Sequence, residues 1–260
     1  MLTPLLLLAA ATSLQPLPPI PAQAPDPDYR FSRALRAGQE LRVSNIDGTV
    51  TVSRASGGTA EVLVTKRVIR GNGDLVKAIL EETDAGIRVC TVYLDTPSDD
   101  LDGCSSQRHG RHHEALEVEM RYEVRLPAGV ELNVATVDGD IVVSGLAARA
   151  RLSTVDGNVM VRGRAPERIS TVDGDIELEA EGALPDAMRL STVDGNVRMN
   201  FPADAGFEIE ATTVDGEMTS DFPITIKGKW GPRTMRGSVG NGRTHIRLST
   251  VDGDVQITRQ

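Results

Sequence analysis

The hexapeptide TVDGDI, at residues 136–141, decides the fold because it returns along the rest of the chain almost unchanged. The later copies are TVDGNV at 154–159, TVDGDI at 171–176, TVDGNV at 192–197, TVDGEM at 213–218 and TVDGDV at 250–255. A related segment, NIDGTV, occurs early, at 45–50. Self-similarity at a short period is the sequence signature of a repeat architecture. A stack of similar units is therefore predicted.

The spacing of the copies predicts one more, degenerate unit. The central glycines of the later set are 18, 17, 21, 21 and 37 residues apart, so the last interval is nearly double its neighbours. Within that interval TMRGSV, at 234–239, keeps the frame of the hexapeptide but carries Arg236 where the other copies carry aspartate. When it is counted, the region from about residue 130 to 260 holds seven copies.

The residues that flank each copy alternate between apolar and polar, as in Ile176-Glu177-Leu178. Alternation of this kind predicts strands with one buried face, and the Asp-Gly pair between them signals a tight turn. A hairpin meander would use that pair to reverse the chain, whereas a solenoid would use it as a corner. The solenoid explains why one hexapeptide recurs, since equivalent residues then stack about 4.8 Å apart. We predict an all-β, single-stranded β-solenoid, parallel β-helix-like and right-handed by analogy with parallel crossovers.

The solenoid domain is predicted over residues 31–260, with regular repeats at 130–260 and irregular N-terminal coils at 31–129. A first diverged coil is expected at 31–53, a short helix at 74–82 and a loop insertion at 95–114. The chain stops almost immediately after the last repeat, which predicts a C-terminal coil without a cap. Because an open sheet edge exposes unpaired backbone groups, this coil is expected to pair with a second copy, forming a homo-oligomer, or with another protein.

The N-terminus has the pattern of an export signal, predicted at residues 1–24. A short apolar run, at 5–11, precedes the small-x-small cleavage pattern Ala22-Gln23-Ala24. Proline-rich sequence continues into a predicted tether at 25–30. No later stretch is long and apolar enough to cross a bilayer, which takes about 20 residues. The protein is therefore expected outside the cytoplasm, in the periplasm or at the cell surface.

Two cysteines, Cys90 and Cys104, would meet oxidising conditions after export. A disulfide between them, closing the intervening loop, is the expected state, and two unpaired thiols are the alternative. The net charge of −9 argues against nucleic-acid partners, because binding to a phosphate backbone depends on clustered lysine and arginine. Aromatic residues make up only 3% of the chain, so the core must be filled by aliphatic side chains.

On these features the chain resembles the bacterial putative-adhesin domain family. The resemblance rests on the NIDGTV coil, the irregular middle, the segment LPAGVELNVATVDGDI at 126–141 and the repeats that follow, and it spans about residues 31–260. It implies a β-solenoid domain in an exported or envelope-associated protein. It brings no catalytic motif and no assigned biochemical activity.

Stacked coils would align one aspartate from each intact copy of the later set. Two unit charges about 5 Å apart repel by roughly 0.8 kcal/mol in water. Backbone N–H groups of each turn, and Arg236 between the last two aspartates, are expected to offset this repulsion. Two residues further on, acid and amide alternate in the first four copies. The aspartates are Asp138, Asp156, Asp173, Asp194, Asp215 and Asp252, and the alternating residues are Asp140, Asn158, Asp175 and Asn196.

A row of calcium sites is the alternative interpretation of the same six aspartates. Adjacent carboxylates and turn carbonyls supply the oxygen ligands that calcium takes. The nonapeptide signature of calcium-binding β-rolls is missing from the chain. Structural turns are therefore the favoured interpretation, and no cofactor is expected.

A second candidate metal site lies in the polar loop at 95–114. A cluster of histidine and aspartate can bind a transition metal, but the spacing here matches no standard zinc pattern. A solvated loop anchored by the disulfide is the favoured interpretation. The polar residues concerned are Asp99, Asp100, Asp102, Cys104, His109, His112 and His113.

A non-enzymatic scaffold or adhesin-like binding protein of the bacterial envelope fits these patterns best, with an envelope protein or a glycan as its partner. Catalysis by a pair of acids needs two groups in different environments. The repeated aspartates occupy the same position in every coil, so they do not provide two different environments. One alternative is a carbohydrate-active β-helix enzyme. The other is an envelope assembly or stress factor that acts through protein partners.

Overall fold

The computed structural model describes residues 28–97, 103–104, 116–228 and 232–260. These residues form two mixed β-sheets, one of ten strands and one of eleven. The described part of the chain contains no α-helix, and one short 3-10 turn occurs at Gly73–Leu75. The all-β prediction is confirmed, while the handedness of the coils stays a prediction.

The first seven strands build one end of the molecule, and much of their pairing is antiparallel. β1 and β7 both pair antiparallel with β4, and β5 pairs antiparallel with β6. β1 begins two residues before the predicted start of the domain, within the predicted tether. The strands are β1 (Tyr29–Ala34), β2 (Glu40–Ser44), β3 (Val50–Arg54), β4 (Thr59–Arg70), β5 (Val76–Thr83), β6 (Gly86–Tyr93) and β7 (Glu117–Leu126).

The helix predicted at 74–82 is wrong. These residues belong mainly to β5, which pairs along its whole length with β6. The segment that begins VKAIL has apolar residues at alternate positions, and Val76 and Ala78 are buried on one face of the sheet. This period of two is the period of a strand, and it outweighs the local helix preference of the leucine and glutamate residues.

The regular coils each contribute one strand to each sheet, with the hexapeptide turn between the two strands. Strands of successive coils pair in parallel from β8 to β14 in one sheet and from β9 to β15 in the other. The strands are β8 (Glu131–Ala135), β9 (Ile141–Leu146), β10 (Ala150–Ser153), β11 (Val159–Gly163), β12 (Arg168–Ser170), β13 (Ile176–Ala180), β14 (Ala187–Ser191), β15 (Val197–Phe201), β16 (Phe207–Thr213) and β17 (Met218–Ser220).

The last coil lies inside the stack and not at its end. Four further strands complete the chain: β18 (Thr225–Lys227), β19 (Arg233–Val239), β20 (Thr244–Ser249) and β21 (Val255–Arg259). β20 pairs in parallel with both β14 and β16, and β21 with both β15 and β17. The prediction of an uncapped C-terminal coil is therefore wrong, and self-pairing through it loses its structural basis.

The degenerate hexapeptide explains this arrangement. Residues 234–239 form no turn but lie in β19, which runs antiparallel to β16 and pairs with β18 on its other side. The long interval between Gly216 and Gly253 thus holds two antiparallel strands, so the prediction of a seventh coil there is wrong. β19 pairs with the edge of β16 that faces the end of the stack, and the last coil pairs with the other edge. The backbone groups on both edges of β16 are therefore paired.

The early NIDGTV segment is likewise an interior coil. Its strands β2 and β3 lie between β6 and β7 on one side and β8 and β9 on the other. The irregular N-terminal part is coil only in part: β6 and β7 stack in parallel on β2 and β3, whereas β4 and β5 pair antiparallel outside them. Inward side chains from both sheets form one core along the stack, which is mostly aliphatic, as at Ile176 and Leu190. The expectation of a core filled by aliphatic side chains alone is wrong, because Tyr122, Phe201 and Phe207 are among its largest buried side chains.

Candidate functional site along the turn edge

One edge of the stack is built from the hexapeptide turns, and we call residues 45–50 and the six later copies the turn edge. Each aspartate of this edge forms a parallel bridge with the aspartate of the next coil. The predicted alignment of aspartates is confirmed, with Asp252 between Asp194 and Asp215. Asp47 of the NIDGTV coil joins the row before Asp138, as the likeness of its segment to the repeat would have indicated.

Glycine at the fourth position of the turn lets the coils approach each other closely. A Cβ on Gly174 would collide with the carbonyl group of Gly157 in the neighbouring coil, and the same clash recurs at five other turns of the later set. Gly174 also has φ +152°, which L side chains rarely adopt. The hexapeptide therefore contains glycine for packing between coils as well as for turning the chain.

The threonine at the first position of each turn is buried and links one coil to the next. The Thr171 hydroxyl donates to the carbonyl oxygens of Val155 and Gly157, at 3.2 Å and 3.0 Å. Thr154 and Thr192 make the same pair of contacts one coil away on either side. These bonds satisfy turn carbonyls that would otherwise lie unpaired near the core.

The pattern changes at the junction with the N-terminal strands. There Asn45 replaces threonine, and its Nδ2 donates to the carbonyl oxygens of Gly48 and Met120, at 2.9 Å and 2.8 Å. Its Oδ1 accepts from Thr91, whose hydroxyl lies 2.7 Å from the Tyr122 hydroxyl. Burial raises the pKa of Tyr122 far above its ordinary value, so this network stays neutral.

Thr136, the next residue in the threonine row, is buried, and its hydroxyl has no hydrogen-bond partner among the described residues. The equivalent hydroxyl of Thr154 donates to Gly139 of the preceding coil, at 3.1 Å. For Thr136 the corresponding acceptor would be the carbonyl of Gly48, which receives the amide of Asn45. Asparagine at position 45 thus satisfies the hydrogen-bonding groups of its own coil. It leaves the Thr136 hydroxyl of the following coil without a partner among the described residues.

A second row of polar side chains runs two residues beyond the aspartates. The backbone N–H of Asn158 donates to Oδ1 of Asp140 at 2.8 Å, and that of Asp175 donates to Oδ1 of Asn158 at 2.9 Å. The same contact continues to Asn196 and then to Asp254. Acid and amide therefore alternate through five coils. The inserted last coil extends the alternation that the first four copies predicted.

The negative charges of the later aspartates on the turn edge are not offset in the way that was predicted. Arg236 lies in β19 and pairs with Glu210, so its predicted place between Asp215 and Asp252 is wrong. The carboxylates of the later copies are exposed, and within the described residues no hydrogen-bond donor contacts them. Water and salt therefore screen the repulsion. Asp47 is less exposed, and burial, followed by Asp138, Glu119 and Glu117, raises the pKa of its carboxyl.

Valine at the second position of each turn forms a further row, which the sequence analysis did not single out. Six large apolar side chains project outward beside the aspartates, each between 40% and 51% exposed. The invariance of this position among the later turns was the available signal, because turns normally carry polar residues. The valines are Val137, Val155, Val172, Val193, Val214 and Val251.

No metal-binding group is found within the described ranges, where no three His, Cys, Asp or Glu side chains come together to hold an ion. Calcium at the six aspartates stays a prediction. Most of the second candidate site, including Asp99, Asp100 and Asp102 and all three loop histidines, lies outside the described residues. The histidines are His109, His112 and His113.

The disulfide between Cys90 and Cys104 is present, with the two Cα atoms 5.8 Å apart. Cys90 lies in β6, and both cysteines are buried in a small apolar cluster with Val92 and Leu94. The bond ties one point of the loop at 95–114 to the eleven-stranded sheet. Within the described residues, no helix has the length and apolar character needed to cross a membrane.

Comparison with known proteins places the chain in a family. Three solved structures are similar, each at 9–10% identity: a putative cell adhesion protein from Clostridium sporogenes and putative adhesins from Bacteroides fragilis and Parabacteroides distasonis. The alignments cover 89%, 90% and 88% of this chain and 99%, 100% and 96% of those chains, with TM-scores of 0.44, 0.38 and 0.31. No curated protein matches the chain. The model of the Toastrack DUF4097 family matches residues 31–258, so the chain belongs to that family.

Proposed function

We propose that the protein is an exported, non-enzymatic scaffold of the bacterial envelope that binds its partner along the repeated surfaces of a right-handed β-solenoid. The carrying observation is the repetition of exposed side chains on the turn edge, where one aspartate and one valine recur in each hexapeptide coil. A surface of this kind offers many equal contacts along one line. Their combined strength grows with the length of the partner engaged, as in other multivalent binding.

A binding role accounts for the equivalence of these side chains better than catalysis does. Acid–base chemistry requires groups whose environments push their pKa values apart. The six later aspartates of the turn edge are all exposed and all occupy the same position of the same turn. The rival enzyme would need residues that break the repeat inside a groove.

Location outside the cytoplasm is part of the proposal. The disulfide between Cys90 and Cys104 supports it, since such bonds persist in oxidising compartments. The export-signal pattern at residues 1–24 supports it independently. Fractionation of cells that express the full chain tests this point. Recovery of the protein in the cytoplasm with both thiols reduced would contradict it.

Binding to envelope material tests the function itself. The purified exported protein is incubated with isolated capsular polysaccharide, peptidoglycan and outer-membrane vesicles, and bound protein and soluble products are both measured. We expect saturable, salt-sensitive binding to one fraction and no release of sugar fragments. Turnover of a polysaccharide would establish the carbohydrate-active enzyme instead. Stoichiometric co-purification of one protein, without glycan binding, would establish the assembly factor.

Calcium is not expected to be needed for this role. Within the described residues no three acidic side chains converge on one point, so millimolar calcium should move the melting temperature by no more than about one degree relative to EDTA. A larger rise that disappears in the D173N/D194N double variant would show that the turn edge binds cations.

A further inference from the structure

A row of arginines crosses the outer face of the eleven-stranded sheet. Arg151, Arg168, Arg189 and Arg247 are direct neighbours in four successive parallel strands. Beyond Arg151 the row continues through Asn133 to Arg42 and Arg88. We call these six arginines the arginine ladder. Inclusion of Arg247 depends on the inserted last coil, which brings β20 beside β14.

Three successive members of the arginine ladder form no ion pair with any described residue. At its N-terminal end Arg88, Arg42 and Arg151 form ion pairs with Glu81, Glu40 and Glu167, at 3.4, 3.1 and 3.2 Å. No carboxylate of the described residues lies within 4.0 Å of the guanidinium groups of Arg168, Arg189 or Arg247, and all three side chains are exposed. Positive charge is thus concentrated here on a chain of net charge −9.

The ten-stranded sheet provides the contrast. On its outer face Arg162 pairs with Glu179 at 3.1 Å, and Arg198 pairs with Asp175 and Glu177 at 3.2 Å and 3.5 Å. Opposite charges in neighbouring strands stabilise a sheet, and like charges directly opposite destabilise it. On the ten-stranded sheet these arginines are paired with carboxylates, whereas the eleven-stranded sheet has three successive arginines, Arg168, Arg189 and Arg247, that form no ion pair within the described residues.

The fold does not require arginine at these positions. They point away from the core, and Asn133 occupies the same row between two strands that carry arginine. Neighbouring arginines of the row lie on strands that are ~4.8 Å apart. Their positively charged guanidinium groups therefore repel one another. An anionic partner would remove this repulsion and would gain from every arginine in the row.

Hydroxyl groups line the arginine ladder on the side of the turn edge. Ser153, Ser170, Ser191 and Ser249 stand in register two residues after the four central arginines. On the opposite side the walls of a surface groove of about 500 Å³ include Arg149 and Arg164 together with two acidic residues, Glu167 and Asp186. The face therefore combines cations with groups that both donate and accept hydrogen bonds, the two features that a charged sugar would use.

We propose that the arginine ladder binds a linear acidic polysaccharide that carries one carboxylate on each sugar and lies across the strands. This inference rests on the proposed binding function and names the class of its ligand. Each guanidinium presents a planar fork that fits a carboxylate in a bidentate manner. Successive sugars bring successive carboxylates to successive coils, while their hydroxyls face the serines.

Other polyanions fit this face less well. An extended acidic peptide places side chains of one face about 6.6 Å apart, out of step with the coils. Single-stranded nucleic acid is normally held by aromatic stacking as well as by charge. No Phe, Trp or Tyr occurs in the four strands that carry Arg151, Arg168, Arg189 and Arg247.

Titration with polygalacturonate tests the proposal, using the full exported chain at several salt concentrations. The variant R168Q/R189Q removes two central charges, and R162Q/R198Q removes two charges from the ten-stranded sheet as the matched control. We expect the first variant to lose roughly fivefold to tenfold in affinity at low salt and to show a weaker salt dependence. The control should stay within about twofold of the unchanged protein. Thermal melts confirm that both variants are folded.

Several results would overturn the proposal. Equal losses in both variants would mean that overall charge and not the ladder controls binding. Tighter binding of oligo(dT) or of phosphatidylglycerol vesicles than of polygalacturonate would assign the face to another partner, as would self-association that R168Q/R189Q abolishes. Envelope binding that survives in R168Q/R189Q would refute the ladder but keep the proposed function. If neither the unchanged protein nor R168Q/R189Q bound envelope material, the proposed function would be refuted as well.

Discussion

The coils between residues 131 and 201 stack in the order in which the chain produces them, whereas the first and last coils do not. Two strands of one sheet and three of the other lie outside the NIDGTV coil, and the coil of β20 and β21 lies between the two coils that precede it in sequence. In both cases strands from elsewhere occupy the outer positions. The first and last coils of the chain are thus held from both sides, and β18 and β19 fold back over β16, whereas β17 is an edge strand.

The largest effect is expected from removal of the last coil. Deletion of residues 244–260 takes away four buried side chains, Ile246, Leu248, Val255 and Ile257. Burial of each contributes about 1.5–3 kcal/mol, so the loss is on the order of 6–12 kcal/mol, comparable with the whole stability of a domain. Circular dichroism and limited proteolysis should show a protein without a cooperative melt.

Deletion of β1 is the matched control, because β1 pairs on one side only and its side chains are mostly exposed. Removal of residues 29–34 should leave a cooperative melt, with a loss of about 1–2 kcal/mol. If both truncations melted alike, the last coil would not be interior to the stack.

The next effect separates two glycines that both have positive φ. Gly174 belongs to the turn edge and is closely approached by the next coil, whereas a Cβ on Gly182 would meet no atom within 4 Å. Replacement of Gly174 by alanine should therefore add overpacking to backbone strain and cost about 3 kcal/mol. Gly182→Ala should cost about 1 kcal/mol. Urea unfolding measures both, and equal costs would contradict the close approach of the coils.

A smaller effect compares two threonines of one row. Thr171→Val removes a hydroxyl that bonds two carbonyls and should destabilise the protein by about 1 kcal/mol. Thr136→Val removes a buried hydroxyl that has no partner among the described residues, so it should be neutral or slightly stabilising. Chemical denaturation at constant m-value measures both changes. A loss at position 136 as large as that at 171 would show that Thr136 has a bound partner.

The smallest effect concerns the pH dependence of Asp47. The pKa of Asp47 is raised in the folded protein, so folding favours the protonated carboxyl. The stability of the protein therefore falls as the pH rises from 3.8, the ordinary pKa of this carboxyl, through its pKa in the folded state. Asp47→Asn should therefore stabilise the protein slightly at pH 7 and make no difference at pH 3. Melting temperatures at the two pH values measure this, and a variant less stable at pH 7 would contradict it.

The sequence predicted the aspartate row of the turn edge, but neither its valine row nor the order of all its coils. Thr171, Asp173 and Gly174 occupy their predicted places because a stack of identical turns brings equivalent residues together wherever each coil lies. For the same reason the turns do not specify their neighbours. The TVDG turn at 250–253 fits beside that of any coil, and in the structure β19 pairs with one edge of β16 while β20 pairs with the other. Residues 234–239 resemble a turn yet form a strand, since pairing over seven residues with β16 outweighs a local motif.

The arginine ladder was missed for a related reason. Each of its members follows ordinary strand alternation and looks like a solvent-exposed residue when read along the chain. The ladder becomes visible only when strands are aligned side by side, and Arg247 joins Arg189 only because the last coil is inserted. The surfaces proposed for binding therefore depend on the order of the coils.

A cross-linking experiment tests that order directly. Asp194 and Asp252 occupy adjacent coils, whereas Asp194 and Asp215 are separated by one coil. Cysteines introduced at 194 and 252 should form a disulfide readily under mild oxidation, because neighbouring coils lie about 4.8 Å apart and disulfides need Cα atoms roughly 4.4–6.8 Å apart. Cysteines at 194 and 215 should not, since they lie about twice as far apart. Efficient cross-linking of 194 to 215, and none of 194 to 252, would show that the coils stack in chain order and would contradict the account.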